Sequence, residues 1–213
     1  MKNKVVLVGA PGVGKTSFYL CVMRQFKNFK NNRVLAYQPT IGTVYGQLQT
    51  YVDDSSQVTH VCPTFDTSYQ GVKGIKIDLW DTAGQERFKS LLPMYMRNAI
   101  VAVVMHDNTN ISLKRAAEEI REAKKAMPCV KIFVIQTKSD IGEPFNYKFI
   151  QENVVDKWAF ICTIGKTLDS VDDAMLSISK LVHDTVKQIA VKETTPLLLA
   201  TSSSESKKCC HKL

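Results

Sequence analysis

A glycine-rich segment near the start of the chain constrains the fold more than any other feature. Residues 9–16 read Gly-Ala-Pro-Gly-Val-Gly-Lys-Thr and match the pattern G-x-x-x-x-G-K-[ST]. An apolar, mostly β-branched run at residues 5–8 precedes the segment, and residues 17–25, which contain no glycine or proline, follow it. This order predicts a buried strand, a tight loop and a helix, in which backbone N–H groups and the helix N-terminus face one concavity. The segment is therefore predicted to bind phosphate groups.

The composition around this loop favours a nucleotide that carries a divalent cation. Lys15 is predicted to reach the β- and γ-phosphates, and the Thr16 hydroxyl to ligate Mg²⁺. The first 52 residues contain seven basic side chains and no acidic one, which creates a positive field suited to a polyanionic nucleotide. The same field could equally serve a membrane surface or nucleic acid. The nucleotide-binding candidates in this segment are Gly9, Gly12, Val13, Gly14, Lys15, Thr16 and Ser17.

Strands and helices are predicted to alternate along the chain. Apolar runs predict further strands at residues 43–52, 72–80, 100–105, 130–135 and 158–162, and helical periodicity predicts helices near 113–127, 145–157 and 171–189. Ser112 is predicted to cap the first of these helices. Alternation of this kind indicates an α/β fold of the P-loop NTPase type, with a six-stranded, mostly parallel sheet flanked by helices on both faces. Ligands of such sheets bind at the carboxyl ends of the strands.

The chain is predicted to form one domain with a tail. Residues 1–190 make the domain, and residues 191–213, with their Ser, Thr, Lys and Pro content, make a flexible C-terminal tail. Residues 53–71 are rich in Asp, Ser and Thr and are predicted to be an insertion or a hairpin extension. The basic residues show no nucleic-acid-binding motif, so nucleic acid is not expected as a partner.

A second motif follows the strand that ends at Trp80 and reads Asp-Thr-Ala-Gly-Gln-Glu. Asp81 is predicted to hold Mg²⁺ through a water, and Gly84 to bring its N–H to the γ-phosphate. Gln85 can donate and accept hydrogen bonds at once, so it is the candidate catalytic residue that orients the attacking water.

Residues 80–88, Trp-Asp-Thr-Ala-Gly-Gln-Glu-Arg-Phe, resemble the second switch of Ras-superfamily small GTPases, and their sequence is most similar to that of the Rab family. The phosphate loop, the Pro-Thr-Ile-Gly string at 39–42 and the chain end agree with this resemblance, which covers residues 1 to about 190 apart from the insertion. It implies a small G-domain and a GTP/GDP switch that hydrolyses GTP and recruits effectors to membranes in vesicle traffic.

The resemblance assigns further roles within the first switch. Thr40 matches the threonine whose hydroxyl ligates Mg²⁺ and whose N–H meets the γ-phosphate in the triphosphate state. Tyr37 matches the tyrosine that closes over the phosphates, and Phe29 is the candidate aromatic that stacks on guanine. Loss of the γ-phosphate would then release both switches.

The same resemblance assigns the base-binding residues. Asp140, in the Thr-Lys-Ser-Asp string at 137–140, would accept two hydrogen bonds from guanine, a pair of donors that adenine lacks, and the Lys138 stem would lie along the base. Thr137 stands where most relatives have Asn, and we expect loss of that bracing amide to affect nucleotide affinity. At the degenerate string 162–167, the candidates are Ile164, Gly165, whose N–H would meet the guanine carbonyl, and Lys166.

The last residues, Lys-Lys-Cys-Cys-His-Lys-Leu at 207–213, resemble the double-cysteine prenylation signal of Rab proteins. Cys209 and Cys210 would each carry a lipid, and two lipids give stable anchoring where one is marginal. The resemblance then implies a protein that cycles between the cytosol and the cytoplasmic face of an intracellular membrane. Its implied partners are an exchange factor, a GTPase-activating protein, effectors, a prenylation escort, for which the Leu-rich stretch 197–199 is a docking candidate, and a GDP-dissociation inhibitor.

Other functions stay open at this point. Pro11, where relatives have a small residue, favours a GTP-bound scaffold with little intrinsic hydrolysis, whereas Gln85 argues against it. Thr137 is also common in the Rho branch, so a Rho- or Ran-like GTPase is a second alternative, although the paired terminal cysteines favour Rab. Asp140 argues against an ATPase or kinase with the same phosphate loop. The 53–71 segment is either a private effector contact or a tolerated surface loop.

Overall fold

The computed structural model describes residues 3–23, 40–52, 58–62, 74–84, 90–107, 109–140, 148, 152, 160–164 and 168–194. In chain order, its elements are β1 (Asn3–Gly9), α1 (Lys15–Val22), β2 (Thr43–Val52), β3 (Val58–Cys62), β4 (Gly74–Thr82), α2 (Leu92–Met96), β5 (Ala99–His106), α3 (Asn110–Ala126), β6 (Lys131–Thr137), β7 (Phe160–Ile164) and α4 (Leu168–Thr194).

The strands form one sheet in the order β3-β2-β4-β1-β5-β6-β7. Strand β2 runs antiparallel to both of its neighbours, whereas β4, β1, β5, β6 and β7 are parallel to one another. The carboxyl ends of the five parallel strands therefore meet at one edge of the sheet, where ligands of α/β folds bind. The predicted α/β fold is confirmed.

Two apolar layers cover the two faces of this sheet. Alternate residues of each central strand point to opposite faces, as the period of a strand requires, so Val5 and Leu7 join α1 and α4 in one layer. Val6 and Val8 join α2 and α3 in the other layer. Because both faces are buried, the central strands are continuous apolar runs, which is why the sequence shows them clearly.

The predicted number of six strands is not confirmed, because the part of the chain that the structure describes forms a sheet of seven. The additional strand, β3, lies within residues 53–71 and pairs antiparallel with β2, with Gln49 opposite Cys62 and Val52 opposite Val58. This pairing favours the hairpin-extension alternative over a structureless insertion for that part of the segment. The sequence of β3, Val-Thr-His-Val-Cys, is short, and its pairing partner is the ten-residue strand β2. No local sequence pattern predicts this pairing.

Two predicted helix ends also differ from the structure. Helix α4 continues to Thr194, beyond the domain boundary placed at residue 190 from composition. Helix α3 is capped by Thr109 instead of Ser112: the Thr109 hydroxyl accepts a hydrogen bond from the Ser112 N–H at 3.3 Å. The helix predicted at 145–157 lies outside the described residues except for residues 148 and 152, which are helical. None of the described helices combines the length and the apolarity needed to cross a bilayer.

Candidate functional site

The phosphate loop lies between the end of β1 and the start of α1. Its backbone passes through left-handed φ values at Gly12 (74°) and Gly14 (97°), which glycine adopts without a side-chain clash. Gly14 is the N-cap residue of α1, and no side chain caps this helix. The first N–H groups of α1 are therefore left for a ligand, and they carry the positive end of the helix dipole.

The Lys15 side chain is folded back over this loop. Its ammonium group donates hydrogen bonds to the carbonyl oxygens of Gly9 and Ala10, both at 2.8 Å, and the residue is only 5% exposed. Burial lowers the pKa of Lys15 to about 8, against the opposing charge of Asp81. At neutral pH the Lys15 ammonium is therefore still mostly charged, and it lies against the backbone of the phosphate loop.

Gly84 lies directly against the loop. A Cβ atom at this position would meet the Lys15 ammonium and would lie 2.9 Å from the Ala10 carbonyl oxygen. The glycine therefore allows the chain that leaves β4 to approach the loop backbone, as a residue whose N–H contacts the same ligand must.

Three oxygen-bearing side chains from separate parts of the chain converge beside the loop. The Thr16 hydroxyl donates to Asp81 Oδ2 at 2.7 Å and lies 2.7 Å from the Thr40 hydroxyl. Thr40 Oγ1 is in turn 3.5 Å from the same Asp81 oxygen. The position of Asp81 is set by the register of the sheet, because Asp81 pairs with Leu7 near the carboxyl end of β1.

The chemistry of this cluster fits a magnesium ion. Asp81 is fully buried, and its second oxygen, Oδ1, has no hydrogen-bond partner among the described residues. Burial raises the pKa of Asp81, while the hydrogen bond from Thr16 and the charge of Lys15 oppose that rise. A buried carboxylate oxygen without a partner is costly, and a hard cation with oxygen ligands is a partner that would remove the cost.

On the other side of the loop, Thr137 braces the loop backbone. Its hydroxyl donates to the Val13 carbonyl oxygen at 2.7 Å and lies 3.2 Å from the His106 carbonyl oxygen. Thr137 lacks the amide that most relatives have at this position, but its hydroxyl at the end of β6 also reaches the loop backbone. The expected effect on nucleotide affinity stays a prediction. Ile164, the last residue of β7, pairs with Thr137 and so ends at the same edge.

Lys138, the next residue, adopts a left-handed backbone with φ of 56°. Its ammonium group forms an ion pair with Asp107 Oδ2 at 2.8 Å. Asp140 lies in the turn that follows β6 and is exposed. The turn after β6 therefore carries the ion-paired Lys138 and the exposed Asp140.

Comparison with known proteins agrees with this geometry. A family model described as Ras of Complex, Roc, domain of DAPkinase matches residues 4–140, more than half of the chain. The GTP-binding protein ypt5 of Schizosaccharomyces pombe is 29% identical over 189 residues, which span 84% of this chain and 77% of that relative. The Ras-related protein Rab-5B of Plasmodium falciparum is 30% identical over 199 residues, which span 88% of this chain and 81% of that relative.

The chain belongs to the Rab family of Ras-superfamily small GTPases. As a Rab-type GTPase it binds GTP and GDP and hydrolyses GTP, which confirms the predicted activity. The match to the family model ends at Asp140, the last residue of the base-binding string.

The structure brings one set of candidate residues of this Rab-type GTPase to a single edge of the sheet. Gly9, Ala10 and Gly84 lie against Lys15, and Thr40 and Asp81 lie beside Thr16. Thr137 and Lys138 lie at the end of β6, two strands away from β1, and the Thr137 hydroxyl reaches the loop. Ser17 is exposed in the first turn of α1. The other candidates lie outside the described residues, and they are Phe29, Tyr37, Gln85, Gly165, Lys166, Cys209 and Cys210.

Two features of the Rab-type site were missed by sequence reasoning. One is Asp107, which holds Lys138, and the other is the Ala10 carbonyl, which holds Lys15. A signal existed for Asp107, because it is a carboxylate directly after a buried strand at the edge where the other motifs fall. None existed for Ala10, because a backbone contact does not depend on the side chain that the sequence records.

Proposed function

We propose that this Rab-type protein is a magnesium-dependent switch whose phosphate, metal and base contacts are made by the residues gathered at the carboxyl edge of the sheet. The convergence of Thr16, Thr40 and Asp81 carries this proposal. These residues come from α1, from the first switch and from the end of β4, and their hydroxyl and carboxylate oxygens meet at one point. The Asp81 Oδ1 atom has no hydrogen-bond partner among the described residues, which supports a metal ion as their shared ligand.

In the proposed mechanism, Lys15 exchanges the Gly9 and Ala10 carbonyls for oxygens of the β- and γ-phosphates. The loop N–H groups and the end of α1 bind the same phosphates, and Gly84 presents its N–H to the γ-phosphate. Thr16 and Thr40 would hold Mg²⁺ through their hydroxyls, and Asp81 would hold it through a water. The ion would supply positive charge beside the transferred phosphoryl group. Gln85 orients the water that attacks it.

Thr40 makes the site sensitive to the γ-phosphate. Its hydroxyl contacts Thr16 and Asp81 at the proposed metal-binding side, so Thr40 joins the first switch to the proposed metal ligands through polar contacts. When the γ-phosphate is lost, Thr40 loses the phosphate group that it is proposed to contact. The first switch is then released together with Tyr37. This is the physical basis of a two-state signal.

Guanine is proposed to bind beside the turn after β6. Asp140 accepts the two guanine donors, Lys138 lies along one face of the base and Lys166 along the other, while Phe29 and the backbone at Ile164 and Gly165 complete the pocket. The exposure of Asp140 supports this assignment, because a carboxylate that reads a base must be accessible before the base arrives.

Membrane attachment is proposed to rest on the tail, residues 191–213, with lipids on Cys209 and Cys210 and the neighbouring lysines favouring anionic lipid. The protein would act on the cytoplasmic face of an intracellular membrane in vesicle traffic and would need an exchange factor, a GTPase-activating protein, a prenylation escort and a GDP-dissociation inhibitor. Mass spectrometry of the protein from eukaryotic cells tests the lipids: two prenyl groups are expected, and none in a variant with both cysteines changed to Ser.

Exposed apolar side chains near the first switch support effector binding. Ile41 is 80% exposed, Val44 is 44% exposed and Tyr45 is 48% exposed. All three lie at or near the start of β2. The Tyr45 ring lies 5.3 Å from the Trp80 ring, and the Lys4 ammonium lies 4.1 Å above that indole. Such a patch, next to a segment that responds to the γ-phosphate, is suited to a partner that distinguishes the two nucleotide states.

The experiment that tests the proposed function identifies the nucleotide and measures its turnover on one sample. The purified full chain is denatured, the released nucleotide is chromatographed, and a second portion is loaded with GTP and Mg²⁺ and followed through a single turnover. Bound GDP and slow hydrolysis are expected, with a further decrease in Gln85→Leu. Bound adenine nucleotide contradicts the base assignment, and GTP that persists in wild type but turns over in Pro11→Gly supports the scaffold alternative.

A further inference from the structure

Asp107 occupies a position between the base-binding turn and helix α3. It follows β5 directly, and Lys138 follows the neighbouring strand β6, with His106 and Gln136 paired just before them. The two side chains thus leave the same edge of the sheet on adjacent strands. Their ion pair, at 2.8 Å, joins a carboxylate side chain that is 14% exposed to an ammonium side chain that is 40% exposed.

The Asp107 carboxylate is itself fixed by neighbours at the start of α3. The Thr109 hydroxyl donates to its other oxygen, Oδ1, at 2.8 Å, and the Thr109 N–H does so at 3.4 Å. The Asp107 N–H donates to the Ser112 hydroxyl at 3.1 Å. Burial raises the pKa of Asp107, but the hydrogen bonds from Lys138, Ser112 and Thr109 outweigh burial and hold it well below its ordinary value. The carboxylate is therefore charged at neutral pH and is held by several hydrogen bonds.

Lys138 needs such an acceptor. Its left-handed backbone is unfavourable for a residue other than glycine, and its long side chain loses rotamer freedom when it is held in one place. Thr137 anchors the backbone on one side, through the Val13 carbonyl oxygen. The ion pair with Asp107 fixes the other end of Lys138, so that the aliphatic stem between them has a defined course.

We infer that Asp107 is a positioning residue for nucleotide binding: it holds the Lys138 ammonium so that the lysine stem is already in place when the guanine base arrives. The inference rests on the proposed function, since it takes Lys138 as a residue that lies along the base. Asp107 makes no contact with the nucleotide itself. It lengthens the residence time of the nucleotide, because a side chain ordered in advance loses less entropy on binding.

The test measures release of GDP labelled with a fluorescent N-methylanthraniloyl group from the full chain in the presence of Mg²⁺. Asp107→Asn keeps an acceptor for Thr109 but loses the charge that holds Lys138. We expect release to be roughly three- to tenfold faster in this variant. Asp173→Asn, which changes an exposed carboxylate on α4, is the matched control and should release the nucleotide at the wild-type rate.

A double-mutant cycle separates positioning from a general structural role. If Asp107 acts through Lys138, then adding Asp107→Asn to Lys138→Ala causes no further acceleration. In addition, 1 M salt should bring the wild-type and Asp107→Asn rates closer together, because roughly molar salt screens a pair whose lysine is partly exposed. A purely structural role predicts instead that the two effects multiply and that the ratio of rates is independent of salt.

The remaining outcomes distinguish failure of the inference from failure of the proposed function. Unchanged or slower release in Asp107→Asn, with faster release in Lys138→Ala and Asp140→Ala, overturns the inference alone; slower release would mean that the ion pair must break before the base binds. Unchanged release in all three variants overturns the proposed base site, and the inference with it.

Discussion

The phosphate side and the base side of the site lie at the same edge of the sheet, but they are held by different means. On the phosphate side, Lys15 and Asp81 are buried, and each is fixed by short hydrogen bonds within the protein. On the base side, the Lys138 side chain is 40% exposed and Asp140 is exposed. Water can take the place of a hydrogen bond that is removed on the base side, whereas removing one on the phosphate side leaves a buried charge or polar group without a partner.

Two positions show how much room each side leaves for another residue. On the base side, Thr137 stands in place of Asn, and its hydroxyl still reaches the Val13 carbonyl. On the phosphate side, Gly84 leaves no room for a side chain, since a Cβ atom there would meet the Lys15 ammonium and the Ala10 carbonyl. Substitutions on the phosphate side should therefore have larger effects than those on the base side.

The largest effect is expected for Lys15→Met. The variant keeps roughly the length of the side chain but removes the buried charge that is proposed to bind the phosphates, and GTP and GDP affinity should fall by about 100-fold or more. Titration with a fluorescent nucleotide measures the loss. Lys180→Met, which changes an exposed lysine on α4, is the control, and a Lys15→Met protein with near wild-type affinity would show that the loop binds phosphate through its backbone alone.

Asp81→Asn should follow in size. The amide removes the buried negative charge that faces Thr16 and Thr40, so the concentration of Mg²⁺ that slows GDP release by half should rise roughly tenfold or more. Release rates measured over a series of Mg²⁺ concentrations give this value. The exposed Asp172→Asn serves as control, and an unchanged Mg²⁺ requirement in Asp81→Asn would argue against a metal at this cluster.

Thr137→Val tests whether burial, not the side of the site, sets the size of an effect. Thr137 belongs to the base side but is only 6% exposed, and its replacement leaves the Val13 carbonyl without that donor. We expect nucleotide release to be about five- to twentyfold faster, from a cost of roughly 1 to 2 kcal/mol. Thr137→Ser keeps the hydroxyl and should stay near wild type. An equal acceleration in the Ser variant would attribute the effect to weaker packing without the methyl group.

The smallest expected effect is a pH dependence of the unfolding free energy, which concerns the whole domain and so both sides of the site. His106, fully buried at the end of β5, has its pKa lowered from 6.5 to about 4 by burial. Between these values the unfolded chain binds more protons than the folded one, so stability falls as the pH decreases. From pH 6.5 to 5.5 this histidine should cost about 1 kcal/mol of unfolding free energy. Urea unfolding of wild type and His106→Gln measures it, and parallel pH curves would exclude His106 as the cause.

Much of this architecture was predictable because burial leaves a pattern in the sequence. The central strands are buried on both faces, so they are continuous apolar runs, and the phosphate loop is a local motif whose glycines are required by the backbone. The predicted helix at 113–127 corresponds to α3, although its cap lies at Thr109. The cap was misplaced because Ser112 and Thr109 can both accept a backbone N–H, and packing decides between them.

The sequence by itself determined the fold class and the family and predicted which residues face the nucleotide, since these depend on local motifs and on the periodicity of apolar residues. Only the tertiary structure decided that β3 extends the sheet, that Thr137 braces the phosphate loop and that Asp107 holds Lys138. Each of these contacts joins segments far apart in the chain or on adjacent strands. Strand register and side-chain reach create such contacts, and neither is encoded in a local pattern.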